Sequence, residues 1–277
     1  MKFDRIYLDN RWPDCYLDVY LADPLPQLTR KALLVIPGGG YGIVCSDREG
    51  EPVALAFLPY GCNCFLLHYS TRATSEECFP NHLAQASLAM HHIRQQAQAY
   101  GIDPRQVYAV GFSAGGHLAG CLATMWHRQE VYDLVPMPLG DNRPTGAMLI
   151  YPVVTGVWTS AHMESFRNLL GEEKPTPQKL EQCSLENWVD EKTSPVFMVH
   201  TANDQLVPVE NALCLASAFA RAKRSFELHI YPDGPHGVAL GNEITRCGEE
   251  KWENPAIAQW VSHAVLWMKQ QTVNSEG

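Results

Sequence analysis

Residues 107–120 read VYAVGFSAGGHLAG. The first six are apolar, β-branched or aromatic, as in a buried strand, while the segment after residue 113 is rich in small residues that suit a closely packed helix. Ser113 stands at the change, between Gly111 and Gly115. A serine there could simply cap a helix. The G-x-S-x-G spacing between strand and helix points instead to a nucleophile. A sharp turn pushes the serine into an unfavourable backbone region, small neighbours let strand and helix approach, and the hydroxyl stays exposed.

A serine hydroxyl at neutral pH needs a histidine to take its proton and a carboxylate to fix that histidine's tautomer. The sequence supplies both after strand-like runs. VFMVHT, 196–201, leads into ANDQLVP with Asp204, and FELHIYP, 226–232, leads into DGPHG with His236. Both segments also have ordinary turn compositions. What singles them out is their joint occurrence: serine, acid and histidine each follow their own strand, in the chain order that goes with a G-x-S-x-G turn. Activity is then expected to rise with pH as the imidazole becomes neutral. A fourth part is a loop able to hold negative charge. VIPGGGYG, residues 35–42, ends another strand-like run and is neither G-x-G-x-x-G nor a lysine-bearing phosphate loop.

Working outward, CYLDVYL (15–21), ALLVIP (32–37), CNCFLLHY (62–69), QVYAVGF (106–112) and AMLIYP (147–152) join the two runs above as seven strands. Helical segments lie between them. Residues 82–100 carry an apolar stripe through Leu83, Ala86, Met90, Ile93, Ala97 and Tyr100, ended by Gly101, with Asp103-Pro104 as a turn into the next strand. Pro208 opens a helix to about 222, and Asn254-Pro255 caps a closing one. This alternation predicts an α/β fold with a mostly parallel sheet covered on both faces, as a single domain over 1–277. Residues 153–195 lack strand character and are expected to form a small lid or insertion.

With 277 residues, 46% hydrophobic and 18% charged, the chain can bury one large core. A net charge of −9 without a Lys/Arg cluster argues against nucleic acid. The charged N-terminal segment MKFDRIYLDNRWPD and the lack of a run long enough to span a bilayer predict a cytoplasmic protein that does not engage membranes. Nine cysteines, an odd number set in apolar patterns, predict reduced thiols; Cys62 and Cys64 are too close for a zinc or redox motif, and no metal is expected. Adjacent His91 and His92 read as a solvated helix surface.

Together LLVIPGGGY, VYAVGFSAGGHLAG, LIYPVV, TANDQLVPV, GPHG and AIAQWVSHAVLWM resemble the α/β-hydrolase superfamily, within it bacterial esterases of the hormone-sensitive-lipase-like and acetyl xylan esterase-like type. The resemblance implies Ser113 as nucleophile, His236 as base, Asp204 as acid, and oxyanion donors from the backbone of Gly39, Gly40 and Ala114. Pro37 departs from the H-G-G-G of many relatives, and Pro-Gly-Gly-Gly-Tyr is closer to members assigned to acetylated or feruloylated carbohydrate esters. The implied activity is hydrolysis of small short-acyl esters with no cofactor. Serine peptidase or amidase activity on the same fold and a non-catalytic binding role are the alternatives, and a homo-oligomer is compatible with the superfamily. Tyr41, Trp158 and Trp188 are candidates to line the pocket, or else form the core of the lid.

Overall fold

The computed structural model describes residues 1–25, 27–157 and 159–274, with the side chains of 272–274 excepted. All seven apolar runs become strands of one eight-stranded sheet: β2 (Tyr16–Leu21), β3 (Arg30–Ile36), β4 (Cys62–His68), β5 (Ile102–Phe112), β6 (Ala147–Ile150), β7 (Val196–Thr201) and β8 (Phe226–Tyr231). The eighth, β1 (Lys2–Tyr7), lies at one edge. Spatial order is β1-β2-β4-β3-β5-β6-β7-β8; β1 with β2 and β2 with β4 are antiparallel, and every later pairing is parallel.

The central strands read as unbroken apolar runs because both faces are covered. Ala32, Leu34 and Ile36 of β3 point into one core while Leu33 and Val35 point into the other, the two-residue period of a strand feeding two layers at once. The first layer is closed by α3 (Asn81–Gln95), α5 (Ser113–Thr124) and α9 (Glu210–Arg221), through Leu83, Met90, Leu118 and Leu215. The second is closed by α2 (Glu51–Phe57) and α10 (Trp260–Asn274), where Phe57 and Trp260 pack with ring centroids 5.8 Å apart. Among the described residues no helix is long and apolar enough to cross a membrane. All nine cysteines are free thiols.

Four local expectations need correction. β1 escaped notice because its side chains are mostly exposed; Phe3 against Tyr20 and Tyr7 against Tyr16 hold it to the sheet. Asp103 and Pro104 lie inside β5, where residues 103–106 oppose Lys31 alone: the expected turn is a bulge in a continuing strand. The 82–100 helix divides at Gln96, and Gly101, at φ +62°, ends the short α4 (Ala97–Tyr100). His91 and His92 are no solvated pair: His91 is buried with Nδ1 2.9 Å from Asp141, and His92 Nε2 lies 2.9 Å from the Tyr100 hydroxyl.

Residues 153–195 form α7 (Met163–Leu170) and α8 (Pro177–Cys183) over the first layer, with Phe166, Leu169, Leu180 and Leu185 merged into its core.

Candidate active site

The corner between β5 and α5 is shaped by contact between backbones. A Cβ on Gly111 would lie 2.1 Å from the Gly115 carbonyl oxygen, and one on Gly115 would lie 2.1 Å from Ile36 O and 2.3 Å from Pro37 O. Ser113, squeezed between them, adopts φ +53°. The residue is only 7% exposed, yet it lines a cavity of about 220 Å³.

The structure brings Ser113, His236 and Asp204 together from the ends of β5, β8 and β7. His236 Nε2 lies 2.8 Å from Ser113 Oγ, and His236 Nδ1 lies 2.7 Å from Asp204 Oδ2. An ionised carboxylate can only accept, so Nδ1 carries the proton and Nε2 presents its lone pair to the serine. Burial alone would raise the Asp204 pKa, but hydrogen bonding to His236, its charge, and the Val207 and Leu206 amides outweigh burial and hold the carboxyl below its ordinary value. Those amides donate to Oδ1 at 3.0 and 2.9 Å, leaving Oδ2 for the histidine.

The loops bearing acid and histidine are stitched together: Gly234 N–H donates to Asn203 Oδ1 at 3.0 Å and Thr201 Oγ1 to Gly234 O at 2.7 Å. Trp252 Nε1 donates to the His236 carbonyl at 3.2 Å, and the Arg48 guanidinium lies 4.3 Å over the Trp252 ring.

The Gly38-Gly39-Gly40 loop has its carbonyls turned away in succession. Gly38 O accepts from Cys45 N–H at 3.0 Å, and Gly39 O from the N–H groups of Gly42 and Ile43 at 2.9 and 3.1 Å. In a trans peptide the N–H points opposite to the preceding carbonyl, so these bonds fix the direction of the Gly39 and Gly40 N–H groups. Neither N–H has a hydrogen-bond partner among the described residues, and both glycines line the Ser113 cavity. The Ala114 N–H belongs to the first turn of α5, where helix geometry leaves donors unpaired. Asn168 of α7 secures the loop from outside by donating to Gly40 O at 2.8 Å. Pro37, where the resemblance leads one to expect histidine, is held through its carbonyl, which accepts from Tyr69 OH at 2.9 Å.

The aromatic candidates do not gather at the cavity. Tyr41 is buried beneath the loop, its hydroxyl 2.8 Å from His117 Nδ1, so it anchors the loop to α5 and does not line the Ser113 cavity. Trp188 stacks with Arg128 at 4.6 Å and donates Nε1 to Gln182 O at 3.0 Å; it lines a separate surface depression with Gln178 and Glu181. Trp158 lies outside the described residues. The cavity is lined instead by the polar residues Arg48, Glu49, His162 and Glu164, with Leu206 as its larger apolar side chain. The His162 pKa is lowered by burial first and then by the nearby His236, and its Nδ1 lies 2.8 Å from Ser165 Oγ. None of these four polar residues occupies a motif in the sequence, and only the chain path of α1 (Ser46–Glu49) and α7 carries them here. Among the described residues no set of three or more His, Cys, Asp or Glu side chains could hold a metal ion.

Residues 17–219 match the BD-FAE family. The chain is 41% identical over 220 residues to endo-1,4-beta-xylanase B of Butyrivibrio fibrisolvens, covering 78% of this chain and 34% of that protein. It is 30% identical over 214 residues to the acetylxylan esterase of Xylanibacter ruminicola, covering 76% and 42% respectively. It therefore spans less than half the length of either relative. Among solved structures, the acetyl ester-xyloside bifunctional hydrolase of Caldicellulosiruptor lactoaceticus superimposes with a TM-score of 0.82 at 30% identity, over 96% of both chains.

Proposed function

The chain belongs to the BD-FAE family and to the α/β-hydrolase superfamily, and from that premise we propose that it is a serine carboxylesterase acting on short-acyl esters of carbohydrates. The observation that carries the reading is the unbroken relay from Asp204 through His236 to Ser113, at 2.7 and 2.8 Å, beside two glycine N–H groups that have no partner among the described residues.

In this mechanism Ser113 Oγ attacks the ester carbonyl as its proton passes to His236 Nε2. The carbonyl oxygen takes up negative charge facing the N–H groups of Gly39, Gly40 and Ala114, which are already oriented and need no reorganisation. Collapse of the intermediate breaks the bond to the alcohol, which leaves with the proton from His236. Water then gives its proton to the same nitrogen, attacks the acyl-serine, and releases the carboxylic acid and the free hydroxyl. Asp204 keeps the imidazole oriented and stabilises its cationic form. The cavity of about 220 Å³ matches a small acyl group. A neighbouring depression of about 490 Å³ shares His236 and Leu206 and is lined by Asn203, Gln205 and Asn254, whose side-chain amides can hydrogen-bond a sugar alcohol leaving on the histidine side. We assign 153–195 as a cap over this site, since its Asn168 holds the glycine loop.

The test is labelling of the pure protein by a fluorophosphonate, together with hydrolysis of a 4-nitrophenyl acyl series and acetylated xylo-oligosaccharides. The expected result is a single label lost in Ser113→Ala and a rate that falls as the acyl chain lengthens beyond a few carbons. An unlabelled wild-type protein would overturn the reading.

A further inference from the structure

Glu49 is a buried charged side chain, 2% exposed, to which the mechanism above gives no role. Its two oxygens are divided between the two halves of the site. Oε2 accepts the Gly38 N–H at 2.8 Å, at the base of the loop whose next two N–H groups face the cavity. Oε1 accepts the Tyr151 O–H at 2.8 Å. The Tyr151 oxygen in turn accepts the N–H of Ala239, three residues beyond His236, at 3.0 Å. The Tyr151 ring also stands edge-on to the His236 imidazole, with centroids 4.8 Å apart and planes at 65°.

Each bond in this chain has a fixed direction. Backbone amides can only donate, so Tyr151 uses a lone pair on Ala239 and has its proton left for Glu49. Burial first, and then the Glu49 charge, hold the phenol well above its ordinary pKa, so that it keeps this proton. There is also no slack. A Cβ on Gly38 would lie 2.8 Å from Glu49 Oε2 and 2.9 Å from Ser113 Cβ, and Tyr151 reaches its place only by leaving β6 at φ +37°. Burying a carboxylate is costly, and an apolar side chain of similar volume would fill the space without that cost. What an apolar side chain could not do is bridge two donors that belong to different loops.

We propose that Glu49 and Tyr151 are positioning residues for ester hydrolysis: the hydrogen-bonded strut Gly38–Glu49–Tyr151–Ala239 sets the spacing between the oxyanion-binding loop and the loop that carries His236. The inference rests on the serine-hydrolase reading above. Glu49 acts through Gly38, and Tyr151 through Ala239 and the imidazole; neither is a partner in bond breaking. The strut matters most when charge appears on the substrate oxygen and on the imidazole together, since donor loop and base must then both be in place.

The experiment compares wild type, Tyr151→Phe, Glu49→Gln and the double variant by kcat and KM on 4-nitrophenyl acetate and by Ki for an alkyl trifluoromethyl ketone. Such a ketone adds the serine hydroxyl across its carbonyl, giving a tetrahedral oxyanion while the proton moves to His236. In both single variants kcat should fall about 10- to 100-fold, somewhat less than loss of an oxyanion donor itself. KM should stay within about twofold, and Ki should rise by the same factor as kcat falls. The double variant should be no more than about twofold below the poorer single one, because both cut the same strut. Thermal melting identifies folded variants, and Tyr151→Phe, which removes one oxygen and keeps the ring, decides alone if Glu49→Gln does not fold. The proposal is overturned if Tyr151→Phe leaves kcat and Ki within threefold of wild type, or if kcat falls while Ki does not rise. A wild-type protein that neither hydrolyses the ester nor binds the ketone would bring down the serine reading, and the strut with it.

Discussion

At φ +53°, Ser113 holds a conformation that L-residues seldom adopt, and that geometry aims its hydroxyl at His236 while the residue remains almost wholly buried. If it is the nucleophile, Ser113→Ala should lower turnover of 4-nitrophenyl acetate by about 10⁶-fold without a comparable change in melting temperature. Asp204→Asn should cost about 10⁴-fold in kcat, because an amide can donate to His236 Nδ1 and favour the wrong tautomer. Steady-state kinetics on the folded variants checks both. These residues could be found from the sequence because each is tied to local turn chemistry: GFSAG, AND and GPHG carry their own glycine, proline or Asx signature. Glu49 and Tyr151 could not. Their bond joins residues 102 positions apart, and in the sequence Glu49 is one more charge on a short polar helix while Tyr151 is one more aromatic at a strand end. The aromatic candidates Tyr41 and Trp188 were misleading for a related reason: ring size marks what a side chain can cover, not which way its backbone turns it.

At the scale of elements, the β5–α5 corner and the glycine loop behave as one unit, because the Gly115 Cα lies against the carbonyls of Ile36 and Pro37. Gly115→Ala would press a methyl group into the backbone of Ile36 and Pro37, where no rotamer change gives relief. The expected loss is at least about 3 kcal/mol, measured by urea unfolding, with loss of ester hydrolysis in whatever folded protein is left. Strand and helix periods were legible wherever an element is covered on both faces or presents one apolar stripe, as in β3, β7 and α9. They failed where solvent sets no pattern. β1 alternates too little to be read, and Pro104 looks like a stop because its missing N–H does not show that β5 resumes its pairing at Val107.

Over the molecule as a whole, some imidazoles are buried and kept out of water, among them His82 and His117. Burial, then Arg72 and His117, lower the pKa of His82 to about 3, and burial lowers that of His117 to about 4. In the unfolded chain both would titrate near about 6.5. Between these values the unfolded state binds more protons than the native one, so stability falls as pH drops below about 6.5, by up to about 1.4 kcal/mol per pH unit for each imidazole. The depressed Asp204 carboxyl acts in the same direction at lower pH: its contribution is complete above the unfolded value of about 3.9 and is lost as pH falls through the folded one. Calorimetry should therefore show a melting temperature that declines from pH 6.5 to 4.5, with a shallower slope in His117→Gln. The order of the strands has a consequence of its own. If Ser113, Asp204 and His236 form the proposed triad, the nucleophile follows the central β5, whereas the acid and the histidine follow β7 and the edge strand β8. On that reading a nascent chain holds its serine and glycine loop long before residue 236 is made, and stays chemically inert while the middle of the sheet assembles.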